Sequence, residues 1–220
     1  MQPFFMMHHS ATPPSRVLLT TAYWPSVPWM HLASDDRELY LEACEHHQKG
    51  SFRNRCLIAG PNGVQQLSVP LAKGKHQQTP IRDVRIAYTE PWQRLHWRSI
   101  RTAYGSAPFF DHYAPELSVF FQKKYTFLFD LNHACLTWLF AKLGVQKIVH
   151  LTEQYENPAP TGFFDARQAV VPGRISFQAP RYGQVFEDRH GFLPGLSSLD
   201  TLLCAGKYAT EVIANTVVVP

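Results

Sequence analysis

The stretch HHQKGSFRNRC, residues 46 to 56, places His46, His47, Lys49, Arg53 and Arg55 within eleven residues that hold no carboxylate. If SFRNRC opens a strand, side chains alternate, and Arg53 and Arg55 share one face while Phe52, Asn54 and Cys56 take the other. Like charges this close repel unless solvent or an anion lies between them. Guanidinium forks fit phosphate or carboxylate oxygens in pairs. The segment therefore reads as an anion site built by Lys49, Arg53 and Arg55, with Asn54 orienting the ligand or a backbone loop. The alternative is a solvated basic strand face. An imidazole titrates near neutrality, so His46 suits a general base, as does His96 further on, with Tyr104 able to share the work. His46 and His47 with Cys44 and Cys56 match no metal-ligand spacing, and neither metal nor cofactor is expected. His190 has Glu187 and Asp188 near in sequence, a set that can orient an imidazole or serve as a charged loop. The chain has no G-x-S-x-G elbow, Walker loop or G-x-G-x-x-G run.

These residues need elements to hold them. RVLLTTAYW, residues 16 to 24, is apolar and β-branched, as a buried strand would be, and PSVPW breaks it as a loop. MHLASDDR fits a short helix, and ELYLEAC alternates as a second strand. RCLIAG and GVQQLSVPL flank Pro61-Asn62, a hairpin in which Asn-Gly supplies positive φ. IRDVRIAY, residues 81 to 88, alternates as a further strand of that meander. From Pro91 to Gly105 the spacing turns helical, with Arg94, Arg98 and Arg101 on one stripe and Trp97, Ile100 and Tyr104 on another. A longer helical region, 115 to 143, breaks near Asp130, and Gly144 caps it. QKIVHLTEQY is a late strand, 157 to 182 an irregular stretch, and LSSLDTLLCAG a last helix. Residues 1 to 15 read as a flexible tail and 16 to 220 as one α/β domain.

Composition sets the outer bounds. Of 220 residues 45% are hydrophobic and 17% charged, and a net charge of +4 is too mild an excess to imply nucleic acid as a partner. No apolar run reaches the roughly 18 residues of a membrane span. FFMM near the N-terminus falls short of a signal peptide, so a cytoplasmic location is expected. Four cysteines without a C-x-x-C pair point to free, mostly buried thiols.

Several stretches together resemble the WbqC-like family: VLLTTAYWP with its Tyr-x-Pro loop (Tyr23, Pro25), the Lys-x-x-aromatic-x-Asn-Arg segment (Lys49, Phe52, Asn54, Arg55), the Trp-x-x-x-His helix (Trp92, His96) leading to Tyr104, and the closing Leu-Ser-x-Leu-Asp (Leu196, Ser197, Leu199, Asp200). The resemblance implies a role in making or decorating surface polysaccharides. On that basis we expect a transferase acting on a sugar or nucleotide-activated amino sugar, by acyl or aminoacyl transfer. Its partner would be a small anionic substrate such as a nucleotide sugar, with Tyr23 among the substrate contacts. The reading from another class is a non-catalytic module that binds an anionic glycan precursor or a partner protein. Gly195 and Cys204 stand where many members carry Asn, and AYWPSVPW lacks the paired histidines of nucleotidyltransferases, which argues against adenylyl transfer. The expected architecture is a Rossmann-like α/β layer with an inserted β-hairpin or meander and a helical second half.

Overall fold

The computed structural model describes residues 13–72 and 78–219. Most of the expected N-terminal tail thus lies outside the described residues. Strand β1 (Arg16–Thr20) buries Val17, Leu18 and Leu19, a continuous apolar run of the kind a parallel sheet requires. Helix α1 (Val27–Ser34) starts inside the segment expected to be a loop, because Pro28 sits in its first turn, where a missing N–H costs nothing. Strand β2 (Glu38–Glu42) then pairs parallel to β1, with Leu18 beside Tyr40 and Thr20 beside Glu42.

Two later short strands complete this sheet: β5 (Val149–Leu151) beside β2, and β6 (Phe163–Asp165) beside β1. The order is β5-β2-β1-β6 and every pairing is parallel. Winding reverses between β1 and β6, and in open α/β sheets such a reversal opens a crevice at the carboxyl ends of the strands. The α/β class is as expected, but one face of the sheet is not closed by helices. Val17, Leu19, Leu39 and Leu41 are buried, whereas Tyr40, His150 and Phe163 on the opposite face are half-buried.

Between β2 and β5 the chain first makes the expected hairpin, β3 (Arg55–Gly60) against β4 (Gly63–Ser68). Pro61 holds its own φ negative, and the left-handed residue is Gly63 at φ 100° rather than Asn62. IRDVRIAY is not a strand. Ile81–Asp83 form a 3-10 turn, Arg82 N–H reaches the Ala43 carbonyl, and isolated bridges join Leu71 to Ile86 and Arg85 to Phe127. Its alternating apolar residues Ile81, Val84 and Ile86 are buried by threading between elements, not by a ladder.

Helix α2 (Trp92–Tyr104) exposes Arg94, Arg98 and Arg101 as the stripe predicts. Its buried ridge runs through Trp92, His96, Ile100 and Tyr104, so Trp97 is only half-buried, stacked between Phe110 and Phe121. The expected helix over 115–143 is two helices, α3 (Phe110–Val119) and α4 (Leu128–Leu143). They separate before Asp130 because Phe127 is extended and bridges Arg85, while the Thr126 carbonyl accepts from Ile86 N–H. Gly144 closes α4 at φ 68°. Within the stretch expected to be irregular lie β6 and β7 (Ser176–Gln178), three residues each, too short to show a period. The chain ends with α5 (Glu187–His190), α6 (Ser198–Ala205), α7 (Ala209–Ala214) and β8 (Val217–Val219), the last pairing with β7. Among the described residues no helix is long and apolar enough to cross a membrane.

Candidate functional site

Glu42 ends β2 at the carboxyl edge of the sheet with 1% of its surface exposed, and a buried carboxylate needs donors. It has three. Its Oε1 accepts from Cys44 N–H (3.0 Å) and the Thr152 hydroxyl (2.6 Å), and its Oε2 accepts from Arg167 Nη1 (3.1 Å). Arg167 also forks onto Asp165 at the end of β6 (2.9 and 2.7 Å) and packs its guanidinium over the Tyr155 ring. Burial works against ionised Asp165, but the contacts with Arg167 win and hold its carboxyl below the usual range. Three of the four sheet strands are thereby tied together at the edge where ligands bind in this architecture.

Beyond Glu42 the chain runs along a cleft of about 630 Å³ lined by Cys44, Glu45, His46, His47, Gln48, Lys49 and Tyr155. His46 and Lys49 are exposed there. Arg53 does not join them. Its guanidinium is buried and closed on Glu45, Nε to Oε1 at 2.7 Å and Nη2 to Oε2 at 2.5 Å, and its carbonyl is taken by the Asn132 amide. Burial raises the Glu45 carboxyl while Arg53 pulls it back. The alternation expected of SFRNRC fails because β3 begins only at Arg55, leaving Arg53 in the preceding turn. Arg55 extends its Nε to the Ser51 carbonyl (2.9 Å) and Nη1 to Gln66 (3.0 Å), outside the lining of the cleft. It and Lys49 nonetheless flank one turn, since a Cβ at Gly50 would stand 3.3 Å from Arg55 Nη2. Asn54 serves the hairpin: its amide donates to the Val69 carbonyl (2.9 Å).

His96, Tyr23 and Tyr104 lie in the interior. The Tyr23 hydroxyl is 3.0 Å from His96 Nδ1, and the imidazole also bonds the Ser68 carbonyl. Since a carbonyl only accepts, His96 donates to Ser68 and the tautomer assigned to it receives the Tyr23 proton. Burial lowers the His96 pKa to about 4. Tyr104 donates to Asp200 Oδ1 (2.9 Å) and accepts from Ala59 N–H (3.0 Å). Asp200 Oδ2 accepts from Tyr182 (2.5 Å) and Gln184 (2.8 Å), and burial raises its carboxyl above the ordinary range. Neither His96 nor Tyr104 reaches the cleft of residues 44 to 49. His190 Nε2 lies 3.0 Å from the Pro61 carbonyl, at the hairpin turn.

Sequence reasoning missed Glu42, Thr152, Asp165 and Arg167. Asp165-Ala-Arg167 after two phenylalanines was a visible clue, a carboxylate and a guanidinium within two residues of each other. Thr152 gave none. A second cavity, of about 560 Å³, has Glu42 in its lining together with Tyr40, Phe163, Glu153, Gln154 and Glu156 among others. The described residues hold no group of three or more His, Cys, Asp or Glu placed for a metal. All four cysteines are free, and burial pushes the Cys204 thiol up to about 12.

No curated protein and no solved structure matches the chain. A family model does: that of the WbqC-like protein family covers residues 21–170, which includes His46, Lys49, Glu42, Thr152 and Arg167, and the chain belongs to this family. The closing Leu-Ser-x-Leu-Asp helix lies beyond the matched residues.

Proposed function

We propose that this WbqC-like protein is a transferase that modifies an activated sugar, with the cleft of residues 44 to 49 as its donor and reaction site. Membership of the family points to sugar-related or polysaccharide biosynthesis. The observation that carries the finer reading is that an exposed imidazole, His46, and an exposed ammonium, Lys49, line one cleft at the carboxyl end of a parallel sheet. Lys49, with Arg55 across the Gly50 turn, holds the phosphate or carboxylate of a nucleotide sugar or acyl donor. His46 takes the proton from the acceptor amine or hydroxyl as that atom bonds the acyl carbon and the donor's leaving group departs with its electron pair. His96 is unsuited to this work, since its nitrogens are engaged and burial keeps it away from solvent. Arg53 holds the loop through Glu45 and leaves its charge neutralised there.

The test is a thermal-shift and calorimetric screen of nucleotide sugars and acyl donors, followed by mass spectrometry of the products. A ligand of the folded state raises the melting temperature by mass action. Lys49→Ala is expected to weaken binding about tenfold, the loss of one charge-assisted bond, and His46→Ala to abolish product while leaving binding intact. Binding without product in the native chain would favour the non-catalytic module. The packing away of His96 and Tyr104 favours that second reading, because among the described residues it leaves His46 as the one exposed imidazole lining the cleft.

A further inference from the structure

We propose that the cavity beside Glu42 is a second binding site, for a sugar ring that carries a basic amine. The proposal rests on the transferase reading above, for which this ligand is the acceptor. The volume, about 560 Å³, is in the range of small-ligand sites. Its floor is aromatic. Tyr40 and Phe163 meet edge to face, ring centres 4.9 Å apart at 78°, and both are half-buried; His150 stacks on Tyr40, and the Arg16 guanidinium lies 5.9 and 5.5 Å from the two ring centres, so a sugar would pack on the ring area these leave. A pyranose presents one face of C–H bonds, which packs on aromatic carbon, and a rim of hydroxyls, which seek paired acceptors.

The rim supplies them. Glu153, Gln154 and Glu156 leave β5 and line the cavity, with Glu42 behind them. Among the described residues Glu153 makes no hydrogen bond or ion pair, and Glu156 is engaged on its side chain only by the Gln154 amide (2.9 Å). An acidic rim alone would be an ordinary solvated edge. Here it stands over an aromatic floor, and beside it lies Glu42, almost wholly buried and fixed by Arg167, Thr152 and Cys44. Carboxylates in this number repel a phosphate and attract an ammonium. The neighbouring cleft, with Lys49, has the opposite preference. The two are separated by one strand exit on which Gln154 and Glu156 line the acidic cavity and Tyr155 lines the basic cleft, with Arg167 against the Tyr155 ring. The charges are thereby sorted, anion on one side of Tyr155 and ammonium on the other; the ammonium, which has no lone pair, anchors the sugar, and a ring hydroxyl whose proton His46 takes is the acceptor atom.

Calorimetry on the full chain tests this with glucosamine, glucose and uridine diphosphate as probes. Glucosamine is expected to bind about tenfold more tightly than glucose, the change one charge-assisted bond supports. The double variant Glu153→Gln/Glu156→Gln, exposed and free of ion pairs, should erase that preference and leave uridine diphosphate binding as it was. Lys49→Ala should do the reverse, so failure of the anion cleft and failure of this cavity give different patterns. Equal binding of both sugars, binding of neither, or a preference that survives the double variant overturns the proposal. So does binding of magnesium or calcium that the double variant abolishes while glucosamine stays silent.

Discussion

Two buried carboxylates, Asp200 and Glu42, are each held by three donors, yet the donors differ in kind. Asp200 takes bonds from Tyr104, Tyr182 and Gln184, all neutral, and has no ion pair among the described residues. Glu42 takes one from a guanidinium and two from neutral groups, and the same guanidinium reaches Asp165 and Tyr155 at the rim. The first arrangement fastens α2, the segment around residue 182 and α6 to one another. The second fastens strand ends that face open cavities. Neutral donors suit a joint that never meets solvent, whereas a charged pair tolerates the water and ligands of an edge.

The comparison breaks most readily at Asp200. Asp200→Ala leaves the Tyr104 and Tyr182 hydroxyls without their acceptor, at about 1–3 kcal/mol each, while the Gln184 amide keeps the Leu193 carbonyl, so urea denaturation should show a loss of roughly 2–6 kcal/mol; a loss below about 1 kcal/mol would mean water replaces the carboxylate and the joint is open. At the rim, Arg53→Ala strands Glu45 as a buried charge, and the same measurement should fall by about 3–5 kcal/mol. If it stays level while anion binding disappears, Arg53 belongs to the ligand after all. A pH experiment sharpens the interior side. His96 is neutral in the folded chain down to about pH 4, whereas in the unfolded chain an imidazole protonates near 6.5. The unfolded state therefore binds the extra proton within that window. The stabilisation is complete above about pH 6.5 and is lost as pH falls towards 4, by about 3 kcal/mol in total. Unfolding midpoints at pH 7 and pH 4.5 should diverge more for the native chain than for His96→Gln, and equal divergence would place His96 in contact with water. The smallest effect belongs to Lys49→Ala, which should change stability by no more than about 0.5 kcal/mol.

Much of the framework was legible because it rests on patterns longer than a turn. The apolar run of β1, the alternation of β2, the hairpin around Pro61-Asn62 and the exposed arginine stripe of α2 are each visible in sequence and each present. The failures occurred where a local pattern was satisfied by a distant partner. Arg53 looked like a free cation because Glu45, its partner, lies eight residues back and across a turn. Trp97 looked like core, but the buried ridge of α2 is set by what packs on it, and that favours His96. Three-residue strands such as β6 carry no period, and Thr152 meets Glu42 only because β5 lies beside β2. Lys49 and His46 were found by type and spacing, whereas the cleft around them needed Tyr155 from more than a hundred residues later.

The placement of β6 also dictates an order of events during synthesis. Arg16 faces Glu38 on one side and Phe163 on the other. A ribosome delivers the first neighbour early and the second only when most of the chain has emerged. Until then one edge of β1 offers unpaired backbone groups, the template on which strands of other chains assemble. Contacts so distant in sequence close slowly, since the intervening loop must give up its freedom before the ladder forms. Chains truncated before residue 163 should therefore carry an open apolar edge and aggregate, and the parallel sheet closes among the last parts of the fold.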